Sequence, residues 1–245
     1  MLKKLLTGLL LCAAVASSMA FPATRISDLR DFEASYILKR GSLRIGSSAI
    51  EFRSGNDGSY MYESRSWPTR WVAWLLKDRL HESSRGKITV DGLRPDSYHY
   101  LRTGGSRERE ADLSFDWQQN RVNNHVEDSL WEMEIPTGTI DKLASQLGMM
   151  MALRQGQDDV TFQVADGGHL KQYRFKVIGH ETVEVPAGTF ETVKITKLRD
   201  NKERITYVWC APQLNYLPVR IWQRETDEAE YSSELESFSE VLRVE

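Results

Sequence analysis

The histidines and cysteines are the residues of this sequence whose spacing would most readily indicate a metal or cofactor site. The five histidines are far apart, at His81, His99, His125, His169 and His180. No two have the spacing of four with which a helix presents a pair of metal ligands. Cys210 is the only cysteine after Cys12, so the sequence offers no thiolate cluster either. The pattern predicts neither a metal site nor a cofactor.

Covalent and acid–base catalysis are not indicated by the sequence. It lacks the Gly-x-Ser-x-Gly elbow, the phosphate-binding loop and the dinucleotide-binding fingerprint. Asp158 and Asp159 are adjacent, and neighbouring strand residues point to opposite faces, so they make a poor catalytic pair. We interpret His180 and Glu181 as neighbours at a strand edge. Cys210 we interpret as a small packing residue. We therefore predict a protein that is not an enzyme.

The methionines Met149, Met150 and Met151 lie in the stretch with the clearest helical pattern after the leader. Apolar residues recur there at spacings of three and four, at Ile140, Leu143, Leu147 and Met150 or Met151. This spacing predicts an amphipathic helix over about 139–155, capped by Thr139 near Asp141 and ended by Gly156. Consecutive methionines cover nearly every side of a helix. They either fill gaps in a core or form a pliable lining for an apolar ligand.

A second apolar stretch, Trp67–Leu76, contains three tryptophans. If it forms a short helix starting near Pro68, then Trp67, Trp71, Trp74 and Leu75 share one face. The stretch is either a plug that closes one end of a β core or a surface flap that covers a ligand or touches a membrane. We prefer the plug, because large apolar residues are usually buried.

Nearly all remaining segments alternate apolar and polar residues, as half-buried strands do. The pattern is sharpest around the Asp166-Gly167-Gly168 turn, where every second residue is apolar on both sides. About a dozen strands and one inserted helix predict an all-β protein, folded as a strongly curved antiparallel sheet or an open barrel-like structure. A helix on the concave side of such a sheet often leaves a cavity between them.

The first 20 residues have the pattern of a signal peptide. Lys3 and Lys4 precede the short apolar run Leu5–Val15, and Ser18-Met19-Ala20 forms a cleavage site. Cleavage after Ala20 would place a single domain of residues 21–245 in the periplasm, with no transmembrane segment in the mature chain. The full chain has 32 basic and 35 acidic residues, and losing two lysines moves the net charge from −3 to −5. That charge argues against a nucleic-acid partner.

Several segments, taken in order, resemble an exported bacterial family known as domain of unknown function 3108. The likeness extends over most of the mature chain, about residues 32–241. The segments that carry it are DGLRPDSY (Asp91–Tyr98), FDW (Phe115–Trp117), DKLASQLGMMMALRQG (Asp141–Gly156), VPAGTFETVKI (Val185–Ile195) and the stretch from Tyr207 through Leu217-Pro218-Val219. The resemblance implies an exported β-rich protein without an established activity, so no catalytic residue is transferred. Cys210-Ala211-Pro212 departs from the family pattern, which denies Cys210 a family role.

Two functional hypotheses follow. The first is a non-enzymatic binding or carrier protein that holds a lipid or another apolar or amphiphilic ligand between the sheet and the helix. Its candidate ligand-binding residues come from the tryptophan segment and the helix, and they are Trp67, Trp71, Trp74, Leu147, Met150 and Met151. The alternative is a structural or assembly factor of the cell envelope. It would bind another protein through a sheet edge or through Trp67–Leu76.

Overall fold

A computed structural model describes residues 29–74, 77–105, 108–126, 129–198, 204–225 and 230–241. These residues form fifteen strands in one sheet, with an α-helix and a 3-10 helix. The predicted signal peptide and Leu75 and Leu76 of the tryptophan segment lie outside the described residues.

The elements are numbered here in chain order. The strands are β1 (Phe32–Arg40), β2 (Leu43–Ser54), β3 (Ser59–Pro68), β4 (Arg79–Thr89), β5 (Gly92–Thr103), β6 (Arg109–Asp116), β7 (Arg121–Val126), β8 (Ser129–Glu134), β9 (Ile140–Asp141), β10 (Asp159–Asp166), β11 (His169–Val185), β12 (Gly188–Leu198), β13 (Arg204–Ala211), β14 (Leu217–Glu225) and β15 (Tyr231–Glu240). The α-helix, α1, is Ala144–Arg154, and the 3-10 helix is Pro212–Leu214.

The sheet consists of two antiparallel meanders joined through β1. Strands β1 to β8 pair each with the next, and so do β10 to β15. The last strand, β15, returns to pair with β1, with Phe32 opposite Glu240 and Arg40 opposite Tyr231. The short β9 adds a parallel pairing to β10. The sheet therefore runs from β8 to β9 without closing into a barrel, which confirms the predicted fold class.

The two ends of the strand order nevertheless approach each other. Trp131 on β8 packs against Gly168 in the turn between β10 and β11, where an added Cβ would lie 2.2 Å from the indole. Gly168 also has a φ of +86°, which disfavours other residues. The sheet is thus curved enough for its opposite ends to make contact across the interior.

The helix begins later than the sequence predicted. Thr139 does not cap it, because its hydroxyl donates to the Pro136 carbonyl oxygen at 2.7 Å. Asp141 accepts the Ala144 amide instead, at 2.8 Å. The end agrees with the sequence: Gly156 has a φ of +74° and the Gln157 amide bonds the Ala152 carbonyl, as in a Schellman motif.

Burial of α1 extends well beyond the predicted apolar stripe. All helix residues except Gln146 and Arg154 are buried, including the three methionines and Leu147. A helix that is apolar on nearly every side needs surroundings on every side. The curved sheet provides them, so α1 forms the centre of the core.

The tryptophan segment is not a helix. Trp67 and Pro68 end β3, and residues 69–74 form tight turns in which the Thr69 carbonyl accepts the amides of Val72 and Ala73. Val72 is buried, and the tryptophans of this segment are among the exposed large apolar residues. The short helix considered for this segment does not form, because the strand pairing of β2 with β3 continues through Trp67 and Pro68.

Replacing Leu147 with Asp tests whether α1 is the centre of the core. Leu147 has no exposed surface, and an unpaired buried charge costs several kcal/mol, roughly the stability of a whole domain. We expect Leu147→Asp to prevent accumulation of folded protein. The control is Leu130→Asp, at a leucine that is 79% exposed, which should purify and melt normally. A normal melting curve for Leu147→Asp would contradict the buried position of α1.

Candidate ligand cavity

A cavity of about 320 Å³ lies beside the amino-terminal half of helix α1. We call it the charged cavity, because it combines ionisable side chains with apolar walls. It is lined by Glu82, Lys142, Leu143, Ser145, Gln146, Met149, Phe175, Lys197, Arg204, Thr206, Val208, Pro218, Ile221 and Gln223.

Strand alternation explains why these residues share one space. Arg204, Thr206 and Val208 are two apart on β13 and therefore point to the same side of the sheet. The register of β13 and β14 places Gln223 opposite Thr206 and Ile221 opposite Val208. On these two strands the lining residues are polar near one end, at Arg204, Thr206 and Gln223. They are apolar farther in, at Val208 and Ile221.

A buried carboxylate forms the opposite wall. Glu82 on β4 is 7% exposed, and its Oε1 accepts hydrogen bonds from the Tyr98 hydroxyl at 2.7 Å and the Lys142 ammonium at 3.0 Å. Burial, together with the nearby Glu82 charge, raises the pKa of Tyr98 well above its ordinary value. Tyr98 therefore stays protonated as a donor, and the Glu82 charge is neutralised by Lys142.

Lys197 and Arg204 provide the other two cations of the charged cavity. The Lys197 ammonium lies 3.1 Å from the centre of the Tyr173 ring, in a cation–π contact. Arg204 forms an ion pair with Glu225, its register partner on β14. Between them in the wall, Thr206 is 7% exposed, and its hydroxyl has no hydrogen-bond partner among the described residues.

The two cations and the tryptophan segment lie at the same end of the sheet. Lys197 is near the end of β12 and Arg204 begins β13. Arg204 pairs with Glu225 at the end of β14, and β14 in turn pairs with the start of β15 at Tyr231. Tyr231 pairs with Arg40, and Arg40 with Leu43, so the end of β1 and the start of β2 lie at this end too. Pairing of β2 with β3 then places Pro68, the last residue of β3, at the same end. Lys197 and Arg204 thus lie toward the end of the strands that also carries Trp67.

A buried carboxyl group holds the start of α1 beside this cavity. Asp141 has no exposed surface; its Oδ1 accepts the Ala144 amide, and its Oδ2 accepts the Ser84 hydroxyl at 2.6 Å. The Ser84 hydroxyl also lies 3.0 Å from that of Tyr60. Burial raises the pKa of Asp141 to about 6, against the opposing effect of these hydrogen bonds. The network joins the helix start to β3 and β4.

The six candidate ligand-binding residues are not brought together in one site. Leu147 and Met150 have no exposed surface and lie in the core, whereas Met151 lines a second cavity of about 220 Å³ beside Phe162. The methionine that lines the charged cavity is Met149. Trp67, Trp71 and Trp74 are 41%, 55% and 77% exposed. The preferred plug interpretation is therefore wrong, and the tryptophans belong to the surface.

Sequence reasoning missed the charged cavity itself. Its ionisable residues come from β4, β12, β13 and the segment before α1, so no local motif contains them. Asp141 did carry a recognisable signal, since an Asp three residues before an apolar helical run is a typical N-terminal cap.

Strand pairing also assembles a group on the outer face that spacing did not indicate. His81 and His99 have ring centres 5.9 Å apart, and His99 Nδ1 lies 2.7 Å from Asp112 Oδ1. Potential ligand atoms of His99, Glu110 and Asp112 all lie within 4.8 Å of one another. Donors of these types can hold a divalent metal ion. The His99–Asp112 contact is also an ordinary hydrogen bond, which needs no metal ion to explain it.

Most of the chain is similar to one known family. Residues 31–232 match the model of a family described as "Protein of unknown function (DUF3108)". The chain belongs to this family. The resemblance found in the sequence is therefore confirmed, and the family description assigns no activity. A search of curated proteins finds no match.

Among the solved structures compared with this family member, one supports the fold. A protein of Brucella abortus, described as a β-barrel-like protein of domain of unknown function DUF1849, superposes with a TM-score of 0.56 at 9% identity, covering 87% of this chain and 98% of that chain. A candidate lipoprotein from Parabacteroides distasonis gives a TM-score of 0.32 at 10% identity, covering 86% and 95%. A candidate exported protein from Bacteroides fragilis, described as having a YmcC-like fold, gives 0.32 at 12%, covering 85% and 95%. Only the first is similar enough to indicate a shared fold.

The pH dependence of stability tests the environment of Asp141. Between about pH 4 and pH 6 the folded chain keeps a proton on Asp141 that the unfolded chain releases. The contribution of Asp141 to the unfolding free energy therefore falls as pH rises through this window. The fall is about 3 kcal/mol at most, at roughly 1.4 kcal/mol per pKa unit. The side chain of Asp141→Asn can still accept the Ala144 amide but cannot ionise. The unfolding free energy of this variant should therefore not fall in this window, and at pH 7.5 it should exceed that of the unmodified protein.

Urea unfolding at pH 4.5 and pH 7.5 measures both proteins. Asp158→Asn, the same change at an exposed carboxyl near the other end of α1, is the control and should follow the unmodified protein. Parallel pH profiles for Asp141→Asn and the unmodified protein would contradict the buried, uncharged state of Asp141 at low pH.

Proposed function

We propose that this protein is a non-enzymatic binding or carrier protein that holds an amphiphilic ligand in the charged cavity. The observation that carries the proposal is the combination within one cavity of apolar walls with polar and charged groups, which on β13 and β14 lie toward one end of the strands. The apolar walls are Leu143, Met149, Phe175, Val208, Pro218 and Ile221. A ligand with an apolar part and a polar end matches this distribution.

The size of the cavity is compatible with this role. Sites for small organic ligands commonly enclose about 300–1,000 Å³, and the charged cavity encloses about 320 Å³. Met149 and Phe175 lie on its wall, and methionine adapts to irregular apolar surfaces. Such a wall suits a flexible chain better than a rigid polar substrate.

The described groups around the cavity also favour binding over catalysis. Ser145 donates its hydroxyl to the Lys142 carbonyl, and the cavity wall brings no histidine beside Thr206. Cys210 is fully buried, and burial raises the pKa of its thiol well above the ordinary value, so it is a poor nucleophile. A catalytic site would need a nucleophile within hydrogen-bonding reach of a base.

The proposed compartment is the periplasm, reached through the signal peptide of residues 1–20. In the described part of the chain, no helix has the length and apolarity needed to cross a bilayer. A carrier of amphiphilic molecules would have its ligands available between two membranes.

Filling the cavity tests the proposal. The neutral apolar dye N-phenyl-1-naphthylamine should bind the unmodified protein saturably, with one molecule per chain in fluorescence titrations. Ile221→Trp places a large ring in the charged cavity and should weaken dye binding at least about tenfold, because the space for the ligand is lost. The control is Ile205→Trp on the same sheet, at a residue that is 38% exposed and absent from the cavity wall.

Native mass spectrometry of protein purified from the periplasm gives a second readout. A co-purifying lipid should be present with the unmodified protein and with Ile205→Trp, and reduced with Ile221→Trp. Folded Ile221→Trp that binds dye and lipid as well as the control would contradict binding in this cavity.

The exposed tryptophans favour a second candidate function, an assembly factor that binds an envelope protein. Trp71 and Trp74 lie on the surface within one turn segment, and exposed tryptophans are frequent in protein interfaces. The double variant Trp71→Ala, Trp74→Ala should change the unfolding free energy by less than about 1 kcal/mol, as surface changes do. Denaturant midpoints measure this effect.

The same double variant separates the two candidates in a dye titration. Unchanged dye binding would assign the tryptophans to a surface contact away from the cavity. Weakened dye binding without loss of stability would place them over the mouth of the charged cavity and support the carrier. A loss of 3–5 kcal/mol, typical of an aromatic residue removed from a core, would contradict their surface position.

A further inference from the structure

We infer that the ligand of the charged cavity has an anionic polar end, either a carboxylate or a phosphate, attached to an apolar part. The inference rests on the proposed function, because it specifies the chemistry of the ligand held in the same cavity. It comes from the charge balance of the wall, from one unsatisfied hydroxyl and from the position of both along the strands.

The charge balance of the cavity wall is positive. Three cations line it against one carboxylate, and the carboxylate of Glu82 is already neutralised by Lys142. Lys197 and Arg204 are the other two positive side chains that line the cavity. These two cations would repel a cationic ligand, and a neutral ligand would gain no charge–charge attraction from them.

Arg204 can bind an anion without giving up its ion pair. Its partner Glu225 does not line the cavity, whereas Arg204 does. A guanidinium has five N–H donors in a planar fork, which is more than one carboxylate can accept. The remaining donors suit a carboxylate or a phosphate.

Thr206 supplies the independent observation that a ligand oxygen belongs here. Its hydroxyl is buried in the cavity wall and has no partner among the described residues. A buried polar group without a partner is unusual and costs free energy until it is satisfied. It is two residues from Arg204 on the same side of β13, so one anionic group can accept from both.

The order of residues along the strands fixes the orientation of the ligand. Arg204 begins β13 and Lys197 stands near the end of β12, so both cations lie at the end of the sheet. Val208 and Pro218 lie farther along β13 and β14, and Met149 extends the apolar wall on α1. The anionic end would therefore lie at the end of the sheet that carries Trp67, with the apolar part directed toward α1.

Calorimetric titration with three ligands of equal chain length tests this. Dodecanoate and dodecyl phosphate carry the two possible anionic ends, and dodecanol is the neutral reference. In low salt, at least one anion should bind the unmodified protein about tenfold or more tightly than dodecanol, the effect of one charged hydrogen bond. Their relative affinities then distinguish a carboxylate site from a phosphate site.

Charge-neutral variants locate the effect. Lys197→Gln and Arg204→Gln should each weaken binding of the anions about tenfold and leave dodecanol binding unchanged. Thr206→Val, which removes the hydroxyl at nearly constant shape, should weaken the anions selectively by a smaller factor. Lys176→Gln, at an exposed position of β11 away from the cavity wall, is the matched control and should bind like the unmodified protein.

The outcomes separate the two proposals. Equal binding of dodecanol and both anions to the unmodified protein would overturn the anionic specificity and leave the carrier function standing. Failure of all three ligands to bind would overturn both. Selective binding of an anion that Lys197→Gln, Arg204→Gln and Thr206→Val all leave unchanged would place the anionic site elsewhere and also overturn the inference.

Discussion

The structure depends on the hydrogen bonds that Asp141 makes in the interior. A helix enclosed by a sheet cannot use water for the amides of its first turn, and these amides must be satisfied from within. Asp141 accepts the Ala144 amide, and through Ser84 it is tied to the strand that carries Glu82. The same hydrogen bonds therefore cap α1 and fix its position against β4. Without them the apolar sides of α1 would have no defined orientation in the interior.

The enclosed helix in turn explains the open sheet. Fifteen strands curve around an element of only 11 residues, and contacts such as Trp131 with Gly168 bring the ends of the sheet together without a ladder between them. Because α1 is shorter than the neighbouring 17-residue β11, it cannot fill the interior along the whole length of the strands. Spaces remain beside α1: Ser145 and Met149 line the charged cavity, and Gly148 and Met151 line the second cavity.

Local patterns were sufficient for the architecture and insufficient for the site. Alternation in β10 and β11 and the Gly156 helix end are properties of short segments, and both predictions agree with the structure. The short helix considered for Trp67–Trp74 does not form because helical spacing there competes with strand pairing to β2, which a short window does not contain. Glu82 is far in sequence from Lys197 and Arg204, and only the folded sheet brings the three into one cavity wall. The same holds for His81 and His99, whose proximity no spacing rule could have shown.

The polar groups in and beside the charged cavity differ in how completely they are satisfied, and this difference separates structural from functional roles. Asp141 and Glu82 each accept two hydrogen bonds from the protein itself, so their burial is explained by the fold. Thr206 is equally buried but has no partner among the described residues. A folded chain gains nothing from burying a hydroxyl unsatisfied, since valine has nearly the same shape without that penalty. The position is therefore better explained by a bound group that accepts from Thr206 than by stability, and the neighbouring Arg204 makes an anion the group that fits.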